Sequence, residues 1–422
     1  MNRPNPLILA VALVATAAGP FAAEWSRFRG PDGAGVAEAP LVPAAPTEKD
    51  IAWKFELPGK GHSSPIAWGK NLFITAEDAA KAGTRYVLCL DASTGREKWR
   101  YADEFEVYPQ HKFNSYAAST PAADARAVYI SWLSGKTKRV LALDHAGKKL
   151  WQEDIGFYQE DHGGSSSPIV HEGLVIVPNE HCNGEDAAIF ALDAASGAVK
   201  WKYETPTPKT AFSTPIVIAG PDGKKQLIVS SCPAALTALD PLTGKKLWDY
   251  RKEVNGSRAV GSPVWADGVI FASVGQGGNG MSCVAVRPGS ADGRTKPELA
   301  WEQSKRIPYV PTPVAVGPNF YYLTDGGLVS CVKASSGDKP WADERGPGAA
   351  YSSPVCVNGR LVLLSRDGTL MTCTAGEKFE ALGRMSLGEE CQTTPAVADG
   401  RLIVRTNTRL IAIGGGTSSA KP

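Results

Sequence analysis

Cys89-Leu-Asp-Ala-Ser-Thr-Gly-Arg-Glu-Lys-Trp99 holds the end of one strand, a tight turn and the start of the strand that returns from it. Cys89 and Leu90 finish an apolar strand. Asp91 opens the turn with a carboxylate placed to bond the backbone amides ahead of it, and Gly95 closes it where the chain needs a positive φ. Trp99 stands four residues after that glycine, on the returning strand. The same order recurs at Leu143-Asp144, Gly147 and Trp151, at Leu192-Asp193, Gly197 and Trp201, and at Leu239-Asp240, Gly244 and Trp248. Gly337 and Trp341 keep the spacing, Trp301 ends a looser copy, and Phe379 is read as taking the Trp place in the seventh.

Upstream of each turn a small residue precedes a proline, at Pro65, Pro121, Pro168, Pro215, Pro263, Pro313, Pro354 and Pro395. Each proline begins a short strand. A glycine turn then leads to a second apolar strand such as Leu72 to Ala76, Val128 to Leu133, Leu174 to Val177 or Leu361 to Leu364. With the strand ending in Leu-Asp and the one carrying Trp, every repeat is a four-stranded antiparallel unit. Such a unit cannot bury both apolar faces alone, whereas radial stacking buries them and leaves only short edges. Trp53, Trp99, Trp151, Trp201, Trp248, Trp301 and Trp341 are suited to wedge between neighbours, each indole N–H finding a carbonyl. The eighth copy ends after three strands, Thr394 to Ala398, Leu402 to Thr406 and Arg409 to Ile413. Ile51 to Leu57, with Trp53, has the outer-strand pattern and no inner strands before it. The expectation is an all-β, eight-bladed β-propeller over residues 50–414, its ring closed by this N-terminal strand completing the last blade.

The 422 residues carry 45 basic and 43 acidic side chains, a net charge of +2, scattered without runs, so nucleic acid is not expected as a partner. Arg3, the apolar run from Leu7 to Ala18 and the small residues up to Ala23 have the layout of a secretory signal peptide, residues 1–23. The run is shorter than the roughly 20 residues needed to span a bilayer. The chain is therefore expected to be exported, periplasmic or extracellular, and monomeric. Residues 24–49 are expected to form a leader that caps the ring, with Trp25 and Phe28 packed and Arg27, Arg29 and Asp32 in solvent; residues 415–422 read as a polar tail. The eight cysteines are too sparse for a disulfide scaffold. Cys89 and Cys331 hold places taken by Ala142, Ala191 and Ala238 in other repeats and read as small buried side chains. A disulfide between Cys182 and Cys232 is left open.

The stretch from Cys89 to Trp99 resembles the tryptophan-docking repeat of pyrroloquinoline-quinone (PQQ) dehydrogenases and of the outer-membrane assembly factor BamB. Trp25-Ser-Arg-Phe-Arg-Gly-Pro-Asp-Gly and Gly388-Glu-Glu-Cys391 resemble the exported PQQ-like propellers of planctomycetes. The resemblance implies an eight-bladed ring, and PQQ with calcium enters only through it. The chain departs from the dehydrogenases: it has no adjacent cysteines and no Cys-x-x-Cys-His haem motif.

In an antiparallel propeller the loops that enter the inner strands meet at one mouth of the channel. Three places before each repeat proline stand His62, Ala118, Ser165, Phe212, Val260, Val310, Tyr351 and Gln392. With His111, Asn114, Tyr116, His162, Arg258 and Tyr309 they give a mixed polar and aromatic mouth able to orient a ligand. The ligand-binding candidates are His62, Tyr116, His162, Arg258, Tyr309, Tyr351 and Gln392. Each also has a structural reading: a loop hydrogen bond for the histidines, packing for the tyrosines, a salt bridge for Arg258. Arg258 is the residue suited to a carboxylate or phosphate. The loop Asn179-Glu-His-Cys-Asn-Gly-Glu-Asp186 reads as a solvated turn, Gly275 to Gly280 as a weak likeness of a phosphate loop, and no residue is assigned to a metal. No pair in the mouth specifies a reaction, so the catalytic residues are unknown. The sequence reads as a binding or scaffold module for a protein partner or small ligand, with a PQQ-dependent oxidoreductase as the rival.

Overall fold

Where a strand alternates apolar residues on both faces it must be covered on both, and in this chain the cover is the next copy of the same unit. A computed structural model describes residues 24–160, 162–182, 186–205, 209–231, 235–252 and 258–415. The proposed signal peptide and most of the polar tail lie outside these residues, as does Cys232. Eight sheets follow one another in chain order. The first is Ile66–Trp68, Asn71–Glu77, Thr84–Asp91 and Glu97–Glu104, and the next five repeat its plan up to Trp341–Arg345. Blade 7 runs from Val355–Val357 to Ala381–Ser386. Blade 8 joins Ala396–Ala398, Arg401–Arg405 and Arg409–Ile413 to Ile51–Glu56, so the N-terminal strand does close the ring.

The Trp register explains the docking. Cys89, Ala142, Ala191, Ala238, Ala285, Cys331 and Ala412 lie directly opposite Trp99, Trp151, Trp201, Trp248, Trp301, Trp341 and Trp53 across the strand pair. A small side chain there leaves the indole free to lean onto the next blade. Trp99 Nε1 donates to the His145 carbonyl at 2.9 Å, Trp151 to Ala194 at 3.1 Å and Trp201 to Pro241 at 3.2 Å. Trp301 reaches Ala334 at 2.7 Å, Trp341 reaches Gly376 at 2.9 Å, and Trp53 of blade 8 reaches Ala92 of blade 1 at 3.3 Å. The turn glycine is needed for this approach as well as for its φ. A Cβ on Gly244, at φ +70°, would stand 2.6 Å from the Trp201 ring. Trp248 differs because the turn it faces in blade 5 is the looser copy. Its N–H goes to the Gln226 side chain at 2.8 Å, and Gln226 in turn donates to the Gly289 carbonyl at 2.9 Å.

Phe379 does not take the Trp place in blade 7. Ala381 stands opposite Cys373, and Phe379 packs back on Trp341, ring centroids 5.3 Å apart. Blade 7 thus has no side chain to send to blade 8. The leader fills that seam. Val36–Ala37 pairs in parallel with Val355–Val357 as a fifth strand, Leu41 N–H donates to Gly400 of blade 8, and Ala39 and Val42 join Met385, Leu387 and Val397 in one buried cluster.

Two variants probe this seam and the docking. Trp201→Ala is expected to cost about 3–5 kcal/mol in denaturant unfolding, since it removes a buried indole and its bond to Pro241. Deleting the chain through residue 45 leaves the four antiparallel strands of every blade in place yet is expected to lower the unfolding midpoint by opening the seam between blades 7 and 8. An unchanged midpoint would contradict the sealing role.

Candidate functional site

Eight inner strands converge on the axis, and the crowding there admits only small residues. The position just before each repeat proline is Ser64, Thr120, Ser167, Thr214, Ser262, Thr312, Ser353 or Thr394, and all eight are buried. Seven of the eight junctions carry the same hydrogen bond, a backbone N–H donating to the next blade's hydroxyl. These run from Ser64 to Thr120 and from Thr120 to Ser167, then from Thr214 through Ser262, Thr312, Ser353 and Thr394 back to Ser64, at 2.9 to 3.1 Å. The girdle fastens the blades at the axis as the tryptophans fasten them outside.

Below the girdle the channel is filled by the leader, which runs inside it rather than lying over the ring. Ala67 N–H donates to the Trp25 carbonyl at 2.8 Å and Ala123 N–H to the Ser26 carbonyl at 2.7 Å. Arg27 and Arg29, expected in solvent, are buried: Arg27 Nη2 donates to the Pro215 carbonyl at 2.8 Å and Arg29 Nη2 to Pro313 at 2.6 Å. The reason is geometric. The inner strands leave carbonyls facing the axis, and a planar guanidinium reaches them across it. Burial lowers Arg27 to about 10 and Arg29 to about 9, partly opposed by Asp32, so both remain charged at neutral pH. Asp32 itself is exposed, as expected.

The result is a blind cup of about 520 Å3, within the range of small-ligand sites. Phe28 and the eight hydroxyl positions line its base. All eight residues three places before the prolines line its wall, from His62 and Ala118 round to Tyr351 and Gln392. His111, Phe113, Asn114, His162, Arg258, Tyr309 and Thr393 complete the lining with Gly277 and Gly278. The glycines form the tip of the Val269–Gln276 and Asn279–Arg287 hairpin, so the Gly275 to Gly280 run is a turn at the rim rather than a phosphate loop.

Six of the seven candidates are brought together here and Tyr116 is not. Tyr116 packs behind the wall against Phe105 and Tyr108, with its hydroxyl donating to the Tyr108 carbonyl at 3.1 Å. Burial, Arg405 and Lys60 push the His62 imidazole down to about 3, so it is neutral at physiological pH. His162 stacks on His111 at 5.3 Å and bonds Glu160 at 2.7 Å, while Arg258 lies 3.5 Å from the same carboxylate. Burial alone would raise Glu160; the Thr210 hydroxyl, His162 and Arg258 hold it below its ordinary value. Tyr351 faces Phe113, and the Arg366 guanidinium lies over both rings, 4.4 Å from Phe113 and 4.7 Å from Tyr351. Sequence reasoning missed Arg366 and Asp325. Asp325 accepts the Tyr309 N–H at 2.8 Å and the Val310 N–H at 3.2 Å and so sets this part of the wall. The segment from Asn179 is also no solvated turn at its start. Asn179, Glu180 and His181 are buried, and burial raises Glu180 to about 7 although its carboxylate accepts the Ser231 hydroxyl. Residues 183–185 lie outside the described residues.

A family model described as outer membrane protein assembly factor BamB matches residues 37–160 and 112–304, more than half of the chain. The chain belongs to this family of PQQ-like propellers. BamB of Escherichia coli is 25% identical over 343 residues, covering 69% of this chain and 83% of the relative. A polyvinylalcohol dehydrogenase from a Pseudomonas species is 32% identical over 171 residues, 37% of this chain and 24% of that protein, so the chain spans about a quarter of the dehydrogenase it matches. Among solved structures, BamB from Moraxella catarrhalis superposes with a TM-score of 0.61 at 17% identity, covering 88% of this chain and 98% of that one. That likeness shows the fold alone.

The PQQ-like repeat raises the question of quinone and calcium. Calcium needs an oxygen-rich set, usually with carboxylates. The described residues lining the cup include no Asp, Glu, Cys or Trp. They do not fit the calcium-bound quinone that the resemblance implies.

Asp325 gives a pH test of the wall. Burial raises its carboxyl to about 6 against the two backbone N–H groups. Between about pH 4 and pH 6 the folded chain therefore holds a proton that the unfolded chain releases, and this group's contribution to stability falls as pH rises. Asp325→Asn removes that fall. Relative to the parent, its unfolding free energy is expected to improve from pH 4.5 to pH 7 by up to about 2 kcal/mol. A difference independent of pH would remove Asp325 from this role.

Proposed function

We propose that this protein is an exported binding module that takes a small ligand in the cup above the leader, with the rim open to a protein partner. The observation that carries the reading is the convergence of six sequence-assigned candidates on one cavity whose base is closed by the chain's own leader. Export rests on the N-terminal pattern and on the relatives named as outer membrane assembly factors. No helix among the described residues is long and apolar enough to cross a membrane. The described residues of the lining offer donors, rings and neutral imidazole, but no nucleophile paired with a base in the manner a covalent or acid–base mechanism requires.

The dehydrogenase names among the relatives motivate the second reading, a quinoprotein oxidoreductase. Calorimetric titration with PQQ, with and without calcium, separates the two. The binding-module reading expects no calcium-dependent uptake.

A direct test uses ligand-observed NMR with a fragment library against the parent and Ser165→Trp, which places an indole in the cup wall. Hits that compete with one another and vanish in the variant, whose circular dichroism is unchanged, are expected. Hits that persist in the variant, or no hits in either protein, would overturn the assignment of the cup.

A further inference from the structure

The girdle hydroxyls have a direction. Seven of the eight oxygens accept a backbone N–H, and none of the eight donates a hydrogen bond to another described residue. The hydrogens they have left are therefore available at the base of the cup, which makes the base a ring of donors.

Guanidiniums outnumber carboxylates around the cup, where Glu160 pairs with Arg258 and Glu77 acts on Arg405. Arg27 and Arg29 bond the carbonyls of Pro215 and Pro313, each the residue immediately after a girdle position, Thr214 and Thr312. No carboxylate among the described residues lies within ion-pair distance of either, and Arg27 Nε, Arg29 Nε and Arg29 Nη1 have no hydrogen-bond partner. Behind His62, Arg405 is wholly buried, with Nη1 donating to Ser63 and Thr75. Burial lowers it to about 9, which leaves it charged at neutral pH. Arg258 lies in the lining itself, and its buried Nε is without a partner. Glu160, just behind the lining, offsets the Arg258 guanidinium from 3.5 Å, and the described residues of the lining itself include no carboxylate to balance the others. A low-dielectric cavity with an excess of one sign of charge focuses that field onto whatever enters.

The lining also carries five phenyl and phenol rings. Phe28, Phe113, Phe212, Tyr309 and Tyr351 surround a space large enough for a fused ring. Resting on the reading of the cup as a ligand site, we infer that its ligand is an organic anion: a carboxylate on a flat, apolar body. The carboxylate accepts from the girdle hydroxyls and Arg258, and the body stacks on the aromatic wall. An inorganic anion would use the donors and leave the rings unused, and a cation would meet the guanidiniums.

The test is calorimetric titration of the purified protein at low and moderate salt with 2-naphthoate, its uncharged amide and inorganic phosphate. Naphthoate is expected to bind one per chain, at least tenfold tighter than the amide, and to weaken as salt rises. Arg258→Gln is expected to lower naphthoate affinity about tenfold and leave the amide unchanged. If the amide binds as tightly as naphthoate and Ser165→Trp abolishes both, the cup remains a ligand site and the anion inference falls. Phosphate matching naphthoate overturns the aromatic half of the inference. If no probe binds and the fragment screen also finds nothing, both readings fall together.

Discussion

The structure depends on each blade reaching forward to the turn of the next. An indole crosses the gap, its N–H finds a carbonyl in that turn, and a glycine makes room for the ring. A unit fastened on one side only gains nothing from the contact until the neighbour is present, so the energy belongs to the ring rather than to any blade. The chain begins its ring with an outer strand, Ile51–Glu56, and ends it with three inner ones. The Trp53 contact with Ala92 therefore joins the last blade to the first. At the one seam where the indole is missing, between blades 7 and 8, the leader supplies a strand and an apolar plug instead.

That substitution has a functional consequence. Holding the leader at blade 7 threads the residues before it through the channel, where Trp25, Arg27 and Arg29 bond the inner strands of blades 1, 4 and 6. An open pore becomes a cup with Phe28 at its base. The same contacts place two guanidiniums one residue below the hydroxyl girdle, so closing the channel and charging its end are a single structural act. Burying a cation without a carboxylate is costly. The axis-facing carbonyls of Pro215 and Pro313 offset part of that cost by accepting from the two guanidiniums.

What repeats was legible and what does not repeat was not. The proline register marked the eight wall positions because the same crowding acts on every blade, and all eight line the cup. The Trp ladder was equally plain, except in blade 7, where a spacing rule chose Phe379 and the strand register chose Ala381. The leader has no period. Arg27 and Arg29 looked like solvent residues because nothing in a single copy shows that a channel lined with carbonyls awaits them. Tyr116 sits at the right distance from Pro121 for the mouth but is drawn behind the wall by Phe105 and Tyr108, partners that belong to one long loop and to no repeat. Arg366 and Asp325 lie in the turns just after second strands, a place the reading of entrance loops did not cover.

Amide hydrogen exchange over the leader and its partners tests the central claim most directly. If residues 24–37 are built into the ring, then the Ala67, Ala123 and Cys356 amides, which donate to Trp25, Ser26 and Gly35, exchange only with global unfolding. They should be as slow as the second-strand amides of the same blades. Exchange of these three amides at the rate of exposed loops, with the rest of each blade protected, would show a leader that lies outside the channel, and the cup would lose its base.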